Sequence, residues 1–204
     1  MATPVNNCGI VILAGGQSSR LGSPKQLLPF RDGTLLRHAA QIALEAGCGP
    51  VMVVTGSNAE AMNRELAGLD IEIVHNPDWA EGMASTLRTG LRALQEKYPG
   101  VDGVVFMVCD QPFVTRSVLL CLTDRQKETG KGITASSYGG KAGTPALFHR
   151  AYFEKLLTLK GDKGARTLMA EYPHDVALVP FAEGAIDIDT KEDHEKLIKM
   201  TGTL

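Results

Sequence analysis

Short apolar runs alternate along the chain with longer stretches in which apolar residues recur every three or four positions. The runs predict strands at residues 8–13, 51–54, 71–74, 103–109, 133–138, 146–149, 176–179 and 186–188. The recurring pattern predicts helices at residues 35–46, 58–66, 82–95, 115–127, 152–159, 165–171 and 191–200. Thr115 is a predicted helix N-cap, Gly47 ends the first helix, and "GGKAGTP" (residues 139–145) is a predicted turn.

Alternation of strand and helix over the first half of the chain predicts an α/β fold. We expect a single three-layer domain over residues 1–204, built on a mainly parallel mixed sheet. The run at residues 103–109, "GVVFMVC", is apolar throughout, which is typical of a strand buried on both faces. Ligands of such sheets bind beyond the carboxyl ends of the strands, so the segments that follow these strands are the candidate sites.

Composition and charge narrow the class of function. The 204 residues are 44% apolar and 22% charged, with a net charge of −2, which argues against a nucleic-acid or membrane-surface partner. The four cysteines form no C-x-x-C pair and the five histidines are scattered, so we expect no transition-metal site. There is no signal-peptide pattern and no apolar run of about 20 residues that could cross a bilayer, so we expect a cytoplasmic protein.

The segment after the first strand, "LAGGQSSRLGSPKQLLPF" (residues 13–30), is rich in glycine and carries two cations. It matches neither G-x-G-x-x-G nor G-x-x-x-x-G-K-[ST], so a dinucleotide fold or a P-loop loses support. Its backbone amides, with Arg20 and Lys25, can instead surround the phosphates of a ligand. The alternative is a mobile surface loop with two solvated cations, which its place after a buried strand disfavours.

Carboxylates occur at two further strand ends. Asp110, in "CDQP", follows the strand at 103–109 and is placed to bind Mg²⁺ that carries phosphates, although it could equally be a turn aspartate beside Pro112. Asp187 and Asp189, in "DIDT", lie two apart and could complete that metal site. Locally, Asp189 or Thr190 could instead cap the last helix. A phosphate loop, two cations and a Mg²⁺ site together favour phosphoryl-group chemistry.

These motifs resemble those of a known family. The first segment is similar to the L-A-[AG]-G-x-S-x-R-[ML]-G-x-x-K-x-L-L signature of nucleotidyltransferases with a Rossmann-like, GT-A-type fold. "NPDWAEGMASTLRTGL", "CDQP", "GTPALF", "GDKGAR" and "DIDTKED" resemble the branch that transfers nucleotides to molybdopterin. The resemblance covers nearly the whole chain, with a nucleotide-binding half at about residues 1–112 and an acceptor-binding half at about residues 113–204.

The resemblance implies a role for each matching residue. Arg20 and Lys25 would hold the triphosphate and the transition state, and Asp110 would bind Mg²⁺, with Asp189 ahead of Asp187 as second ligand. The implied nucleotide contacts are Leu13, Ala14, Gly15, Gly16, Gly82 and Ser85, and the implied acceptor contacts are Lys141, Gly143, Thr144, Asp162 and Arg166.

Several of these residues also have ordinary structural interpretations. Gly82 could simply begin a helix, with Ser85 on its exposed face and Met83 in the core. Asp162, Lys163 and Arg166 could form a solvated loop and the start of a helix.

The implied activity is Mg²⁺-dependent transfer of CMP from CTP to molybdopterin or its molybdenum form, with release of pyrophosphate. Gly15 fits the L-A-G-G form of guanylyltransferases, whereas "SPKQLLP" and "GMASTLRTGL" resemble cytidylyltransferases, so CTP is expected and GTP is the alternative. If backbone at Gly15 and Gly16 passes close to a base, alanine at Gly15 should fill space that a purine needs. Two further hypotheses are a sugar or polyol phosphate as acceptor, and a non-catalytic chaperone that delivers cofactor to a molybdoenzyme.

Overall fold

The computed structural model describes residues 2–16 and 24–202 of the chain. Its strands are β1 (Cys8–Ala14), β2 (Pro29–Phe30), β3 (Gly33–Thr34), β4 (Val51–Thr55), β5 (Glu72–His75), β6 (Gly103–Val108), β7 (Ile133–Tyr138), β8 (Lys141–His149) and β9 (Val176–Pro180). Its α-helices are α1 (Leu35–Ala46), α2 (Ala59–Glu65), α3 (Met83–Lys97), α4 (Arg116–Thr129), α5 (Phe153–Leu157), α6 (Arg166–Glu171) and α7 (Lys191–Thr201).

Seven of the strands form one sheet in the order β5-β4-β1-β6-β8-β7-β9. The pairs β1–β4, β1–β6, β4–β5 and β7–β9 are parallel, and β8 runs antiparallel to both of its neighbours. β2 and β3 form a separate hairpin. The prediction of a mainly parallel mixed sheet is confirmed.

Helices cover both faces of the sheet, which gives the predicted three layers. Along β1, Ile10 and Ile12 pack with α1 and α4 on one face, while Val11 between them packs with α3 on the other. This alternation follows from the two-residue period of a strand. The strand is buried on both faces, which explains its uninterrupted apolar sequence.

Polar caps and left-handed glycines fix the ends of the long helices. The Thr115 hydroxyl accepts a hydrogen bond from the Val118 amide at the start of α4, as predicted, and Thr34 caps α1 in the same way. Both helices end on a glycine with positive φ, Gly47 at 64° and Gly130 at 61°. These caps leave the helix bounds close to those that the sequence predicts.

Three predictions about local structure are wrong. β8 begins at Lys141, so most of the "GGKAGTP" segment is strand, and the turn consists of Gly139 and Gly140, both with positive φ. Residues 186–188 form no strand; they follow a short 3₁₀ helix and dock through a hydrogen bond from the Ile188 amide to the Asp110 carbonyl. Met83 is not in the core but 46% exposed, because α3 begins there at the rim of the sheet.

The parallel strands direct the candidate segments to one edge. Leu13 of β1 pairs with Val54 of β4 and with Val108 of β6, so the glycine-rich segment, Gly56 and Asp110 all leave the sheet at its carboxyl edge. Of the helices in the described residues, none is long and apolar enough to cross a membrane.

Candidate active site

The glycine-rich segment begins in close contact with its neighbours. A Cβ atom built at Gly15 would lie 2.5 Å from the Thr86 hydroxyl oxygen, and one built at Gly56 would lie 2.3 Å from the Gly15 carbonyl oxygen. Backbone therefore packs directly on backbone and side chain where β1 and β4 end. The buried Gln26 side chain holds the segment from the other side, donating to the carbonyls of Ala14 (3.1 Å) and Gly16 (2.8 Å).

Residues 17–23 lie outside the described residues, and Arg20 with them. The structure therefore neither supports nor opposes the triphosphate role predicted for Arg20. Leu13 and Ala14 end β1, as expected, and Gly16 is the last described residue before the gap.

A cluster of buried neutral side chains stands beside Gly15, and we call Asn76, Ser85 and Thr86 the neutral wall. The Asn76 amide donates to the hydroxyls of Ser85 (2.8 Å) and Thr86 (3.2 Å) and accepts from the Asp78 amide (3.0 Å). Ser85 donates in turn to the Gly82 carbonyl at 2.9 Å. Each of these side chains is less than 5% exposed, so their hydrogen bonds are made inside the protein.

The placement of Ser85 corrects one part of the sequence interpretation. Its hydroxyl does not face solvent; it holds the backbone at the start of α3. Gly82 has a φ of 119°, and a Cβ there would lie 2.5 Å from the Asp162 carboxylate and 2.7 Å from the Gly161 backbone. The "EGMAS" and "GDKGAR" segments therefore contact each other at Gly82, a position that requires glycine.

Charged side chains gather on the other side of the glycine-rich segment, and we call Lys25, Asp110 and Asp189 the charged end. The Lys25 ammonium group forms a short ion pair with Asp110 and lies 3.2 Å from an Asp189 oxygen. Burial alone would lower the pKa of Lys25, but the two carboxylates outweigh it and raise that pKa well above its usual value. Lys25 is therefore a permanent cation at neutral pH.

Two further groups complete the surroundings of Asp110. Desolvation, with the charges of Asp110 and Asp189, raises the pKa of Asp187, and the Lys25 cation and the Gln111 amide oppose that rise. Burial, and then the Asp110 carboxylate, raise the pKa of Cys109 to about 12, so this thiol is no nucleophile at neutral pH.

The charged end suits a divalent cation that arrives with other oxygen ligands. The Oδ1 atom of Asp110 is buried without a hydrogen-bond partner among the described residues, and a carboxylate oxygen in that state is a ready hard ligand. Within the described residues, no three His, Cys, Asp or Glu side chains converge closely enough to hold a metal alone. Asp110 and Asp189 could therefore hold Mg²⁺ only together with phosphate oxygens or water.

The predicted acceptor residues on β8 and α6 have unequal surroundings. Thr144 donates to the Gln111 side chain at 3.2 Å, Arg166 donates to the Tyr138 hydroxyl at 3.4 Å, and Gly143 packs against that hydroxyl. Lys141 is exposed at the start of β8, where it pairs with Tyr138 across the β7–β8 turn. Sequence reasoning missed four uncharged residues of the site: Gln26, Asn76, Gln111 and Tyr138.

Comparisons with known proteins identify the family of this chain. The model of the MobA-like NTP transferase domain matches residues 10–176. The chain belongs to this family. The prediction of a nucleotidyltransferase of GT-A-like fold, related to molybdenum cofactor cytidylyl- and guanylyltransferases, is confirmed, and the protein is an enzyme of that class.

Two curated relatives of this MobA-like enzyme carry different names. This chain is 31% identical over 201 residues to nicotine blue oxidoreductase of Paenarthrobacter nicotinovorans, and the alignment covers 92% of this chain and 95% of that protein. It is 26% identical over 185 residues to molybdenum cofactor cytidylyltransferase of Escherichia coli (strain K12), covering 90% of this chain and 91% of that protein.

A solved structure also matches over nearly its full length. Rv0371c from Mycobacterium tuberculosis H37Rv superimposes with a TM-score of 0.80 at 32% identity, covering 98% of this chain and 100% of that one. Its complex with manganese superimposes with a TM-score of 0.77 at 30% identity, covering 95% of this chain and 98% of that one.

Proposed function

We propose that this MobA-like NTP transferase is a molybdenum cofactor cytidylyltransferase, which joins CMP from CTP to molybdopterin or its molybdenum form. The observation that carries the proposal is the charged end, where Lys25 bridges Asp110 and Asp189 beside the glycine-rich segment. A cation next to two carboxylates suits a triphosphate that binds with a divalent metal ion.

The reaction needs little from the protein beyond positioning and charge. An oxygen of the acceptor phosphate forms a bond to the α-phosphorus of CTP, the bond from that phosphorus to the bridging β-oxygen breaks, and pyrophosphate leaves. The acceptor phosphate is ionised at neutral pH, so no general base is required. The Lys25 ammonium group stabilises the negative charge on the phosphate oxygens. Bound Mg²⁺, held by Asp110 and Asp189, would supply further neutralisation of that charge.

Asp189 is preferred to Asp187 as the second carboxylate. Asp189 contacts the same ammonium group as Asp110. Thr190 caps α7 in a capping box with Asp193, so Asp189 is not the residue that caps this helix. The manganese complex of Rv0371c supports the use of a divalent cation in this fold, and Mg²⁺ for this chain is our proposal.

CTP is preferred to GTP on sequence grounds, because the "SPKQLLP" and "GMASTLRTGL" segments resemble the cytidylyltransferase branch. Alignment does not decide the base, since it covers 91% of the Escherichia coli cytidylyltransferase and 92% of a probable guanylyltransferase of Bacillus cereus (strain AH187). Ser85 is buried, so it would shape a base pocket through the Gly82 backbone that its hydroxyl holds. A pocket that pairs a base edge penalises the wrong base through unpaired polar groups.

An oxidoreductase activity is the second candidate, favoured by the name of the Paenarthrobacter relative. Such an activity needs an electron donor, and the segment after β1 lacks the glycine fingerprint of dinucleotide-binding folds. The ion-paired Lys25, Asp110 and Asp189 would have no evident use in electron transfer. For these reasons we prefer the transferase.

Pyrophosphate release tests the proposal directly. The purified protein is incubated with Mg²⁺, each of the four nucleoside triphosphates, and molybdopterin, a sugar phosphate or a polyol phosphate as acceptor. We expect release with CTP and molybdopterin, and a kcat/KM for CTP at least about 10-fold above that for GTP, which is about 1.4 kcal/mol.

The remaining outcomes distinguish the competing hypotheses. Preference for GTP would make the enzyme a guanylyltransferase, and release with only a sugar or polyol phosphate would change the acceptor. Tight molybdopterin binding without release would indicate a delivery chaperone. Reduction of a dye at the expense of an added electron donor, without release of pyrophosphate, would establish the oxidoreductase.

A further inference from the structure

The Tyr138 hydroxyl occupies an unusual place beside the charged end. It lies at the end of β7, where Gln111, the residue after Asp110, donates to it at 3.0 Å and Arg166 donates to it at 3.4 Å. Tyr138 is partly exposed, whereas Gln111 is only 4% exposed. A buried amide thus holds the hydroxyl group of a partly exposed tyrosine.

The orientation of the Gln111 amide is fixed by its other partners. Its nitrogen also donates to the Gly184 carbonyl at 2.9 Å and interacts with the Asp187 carboxylate, and its oxygen accepts from Thr144 at 3.2 Å. A carbonyl can only accept, so the amide cannot be flipped without losing the bond to Gly184. The Tyr138 oxygen must therefore act as an acceptor towards Gln111.

The proton of the Tyr138 hydroxyl is consequently left for another group. The hydrogen bonds of this oxygen to Gln111 and Arg166 both come from nitrogen donors, so neither of them uses the O–H proton. The neighbouring Arg166 guanidinium likewise has donors to spare, since it carries five N–H groups. A hydroxyl that lies beside an exposed guanidinium group suits an anion.

Gly143 permits this arrangement. A Cβ atom at Gly143 would lie 2.2 Å from the Tyr138 oxygen and 2.9 Å from an Arg166 nitrogen. Any larger residue would push both donors away from their positions. The glycine of "KAGTP" is therefore required by the side chains that it faces.

We propose that Tyr138 and Arg166 bind the phosphate group of the acceptor substrate, with Tyr138 donating its hydroxyl proton and Gln111 acting as its positioning residue. The inference rests on the proposed transfer to a phosphorylated acceptor and deepens it. It assigns Tyr138 and Gln111 to a site for which the sequence indicated only Arg166, Gly143 and Thr144 of this group.

Tyr138→Phe tests the proposal by removing one oxygen atom. We expect the KM for molybdopterin to rise about 10-fold or more, as the loss of one hydrogen bond to a charged group produces, while the KM for CTP stays within about twofold. Gln111→Met should give a smaller rise in the same KM. Tyr98→Phe is the matched control, since its hydroxyl donates to Glu72, at the β5 edge of the sheet, 3.3 Å away. An unchanged acceptor KM in Tyr138→Phe would overturn the proposal.

A binding measurement keeps this inference separate from the proposed function. Inorganic phosphate is titrated calorimetrically into wild type and Tyr138→Phe, with the triphosphate site filled by an α,β-methylene CTP analogue. We expect at least about fivefold weaker phosphate binding in Tyr138→Phe, whether or not the wild type transfers CMP. Equal affinities would refute the anion site; a lowered affinity without any pyrophosphate release by wild type would uphold the site and reject the transferase assignment.

Discussion

The neutral wall and the charged end flank the same glycine-rich segment, yet they are built in opposite ways. Asn76, Ser85 and Thr86 satisfy one another's hydrogen bonds while almost completely buried. At the charged end, Lys25 and Asp189 remain partly exposed, with side chains 23% and 50% accessible. The wall thus has its final shape before any ligand binds, whereas the charged end is held by ion pairs that phosphates and a cation can replace.

The difference separates two kinds of mutational effect. Changes in the neutral wall should act on stability and on the shape of the site, because its hydrogen bonds are made in the folded protein. Changes at the charged end should act on turnover and on metal binding, and should leave the fold in place.

The largest effect is expected at Asp110. Asp110→Asn should lower kcat on the order of 10³-fold at saturating Mg²⁺, about 4 kcal/mol, because the amide cannot replace a carboxylate ligand. Steady-state pyrophosphate release measures this loss. Asp102→Asn is the control, since Asp102 lies at the opposite end of β6 and binds the Asn6 and Asn7 amides. A near-normal rate for Asp110→Asn would show that Asp110 does not bind the catalytic metal ion.

The next effect is expected in the neutral wall. Asn76→Ala leaves the Asp78 amide and the Ser85 hydroxyl without the partner that Asn76 provides and should cost about 2–4 kcal/mol in the free energy of unfolding. Urea denaturation followed by circular dichroism measures it. Asn58→Ala is the matched control, because the Asn58 side chain bonds the adjacent Ser57 in a part-buried turn. Equal stabilities of the two variants would show that the Asn76 side chain contributes no more to the free energy of unfolding than the part-buried hydrogen bond of Asn58.

The smallest effect concerns Gly15, where the structure changes the expectation. The Cβ atom of Gly15→Ala would collide with Thr86 whichever of the two nucleotides is bound. The kcat/KM values for CTP and GTP should therefore both fall, by several-fold. A second change, Thr86→Ala, removes the colliding atoms and should restore part of the loss. A selective loss of GTP use in Gly15→Ala would instead return Gly15 to the base pocket.

Much of the fold could be predicted from the sequence because local signals and packing agree. Thr115 begins α4 and Gly47 ends α1, as predicted, and the apolar run at β6 marks a strand buried on both faces. The predictions failed where tertiary contacts decide. Residues 141–145 have small or polar side chains, which do not indicate a strand. They belong to β8 because Gly139 and Gly140 form the turn that pairs them with β7. Residues 186–188 alternate like a strand, but no strand of the described part of the chain pairs with them.

In the candidate site, too, some residues could be predicted from local sequence and others depend on tertiary contacts. Lys25 and Asp110 could be named because charged residues that follow buried strands of such a sheet are candidates for binding a ligand. Asn76 and Gln111 could not, since a buried amide gains its role from residues that face it across the fold. The available signal was their position, each shortly after the end of a strand.

A titration with Mn²⁺ in the absence of nucleotide tests whether Asp110 and Asp189 form the metal site. Lys25 occupies the space between these carboxylates, so removing its charge should free both of them for a cation. In Lys25→Met, we expect Mn²⁺ to bind several-fold more tightly than in wild type by electron paramagnetic resonance titration, while kcat falls on the order of 10²-fold. Weaker or unchanged Mn²⁺ binding in Lys25→Met would contradict this assignment. It would show that Lys25 does not compete with the cation for these two carboxylates.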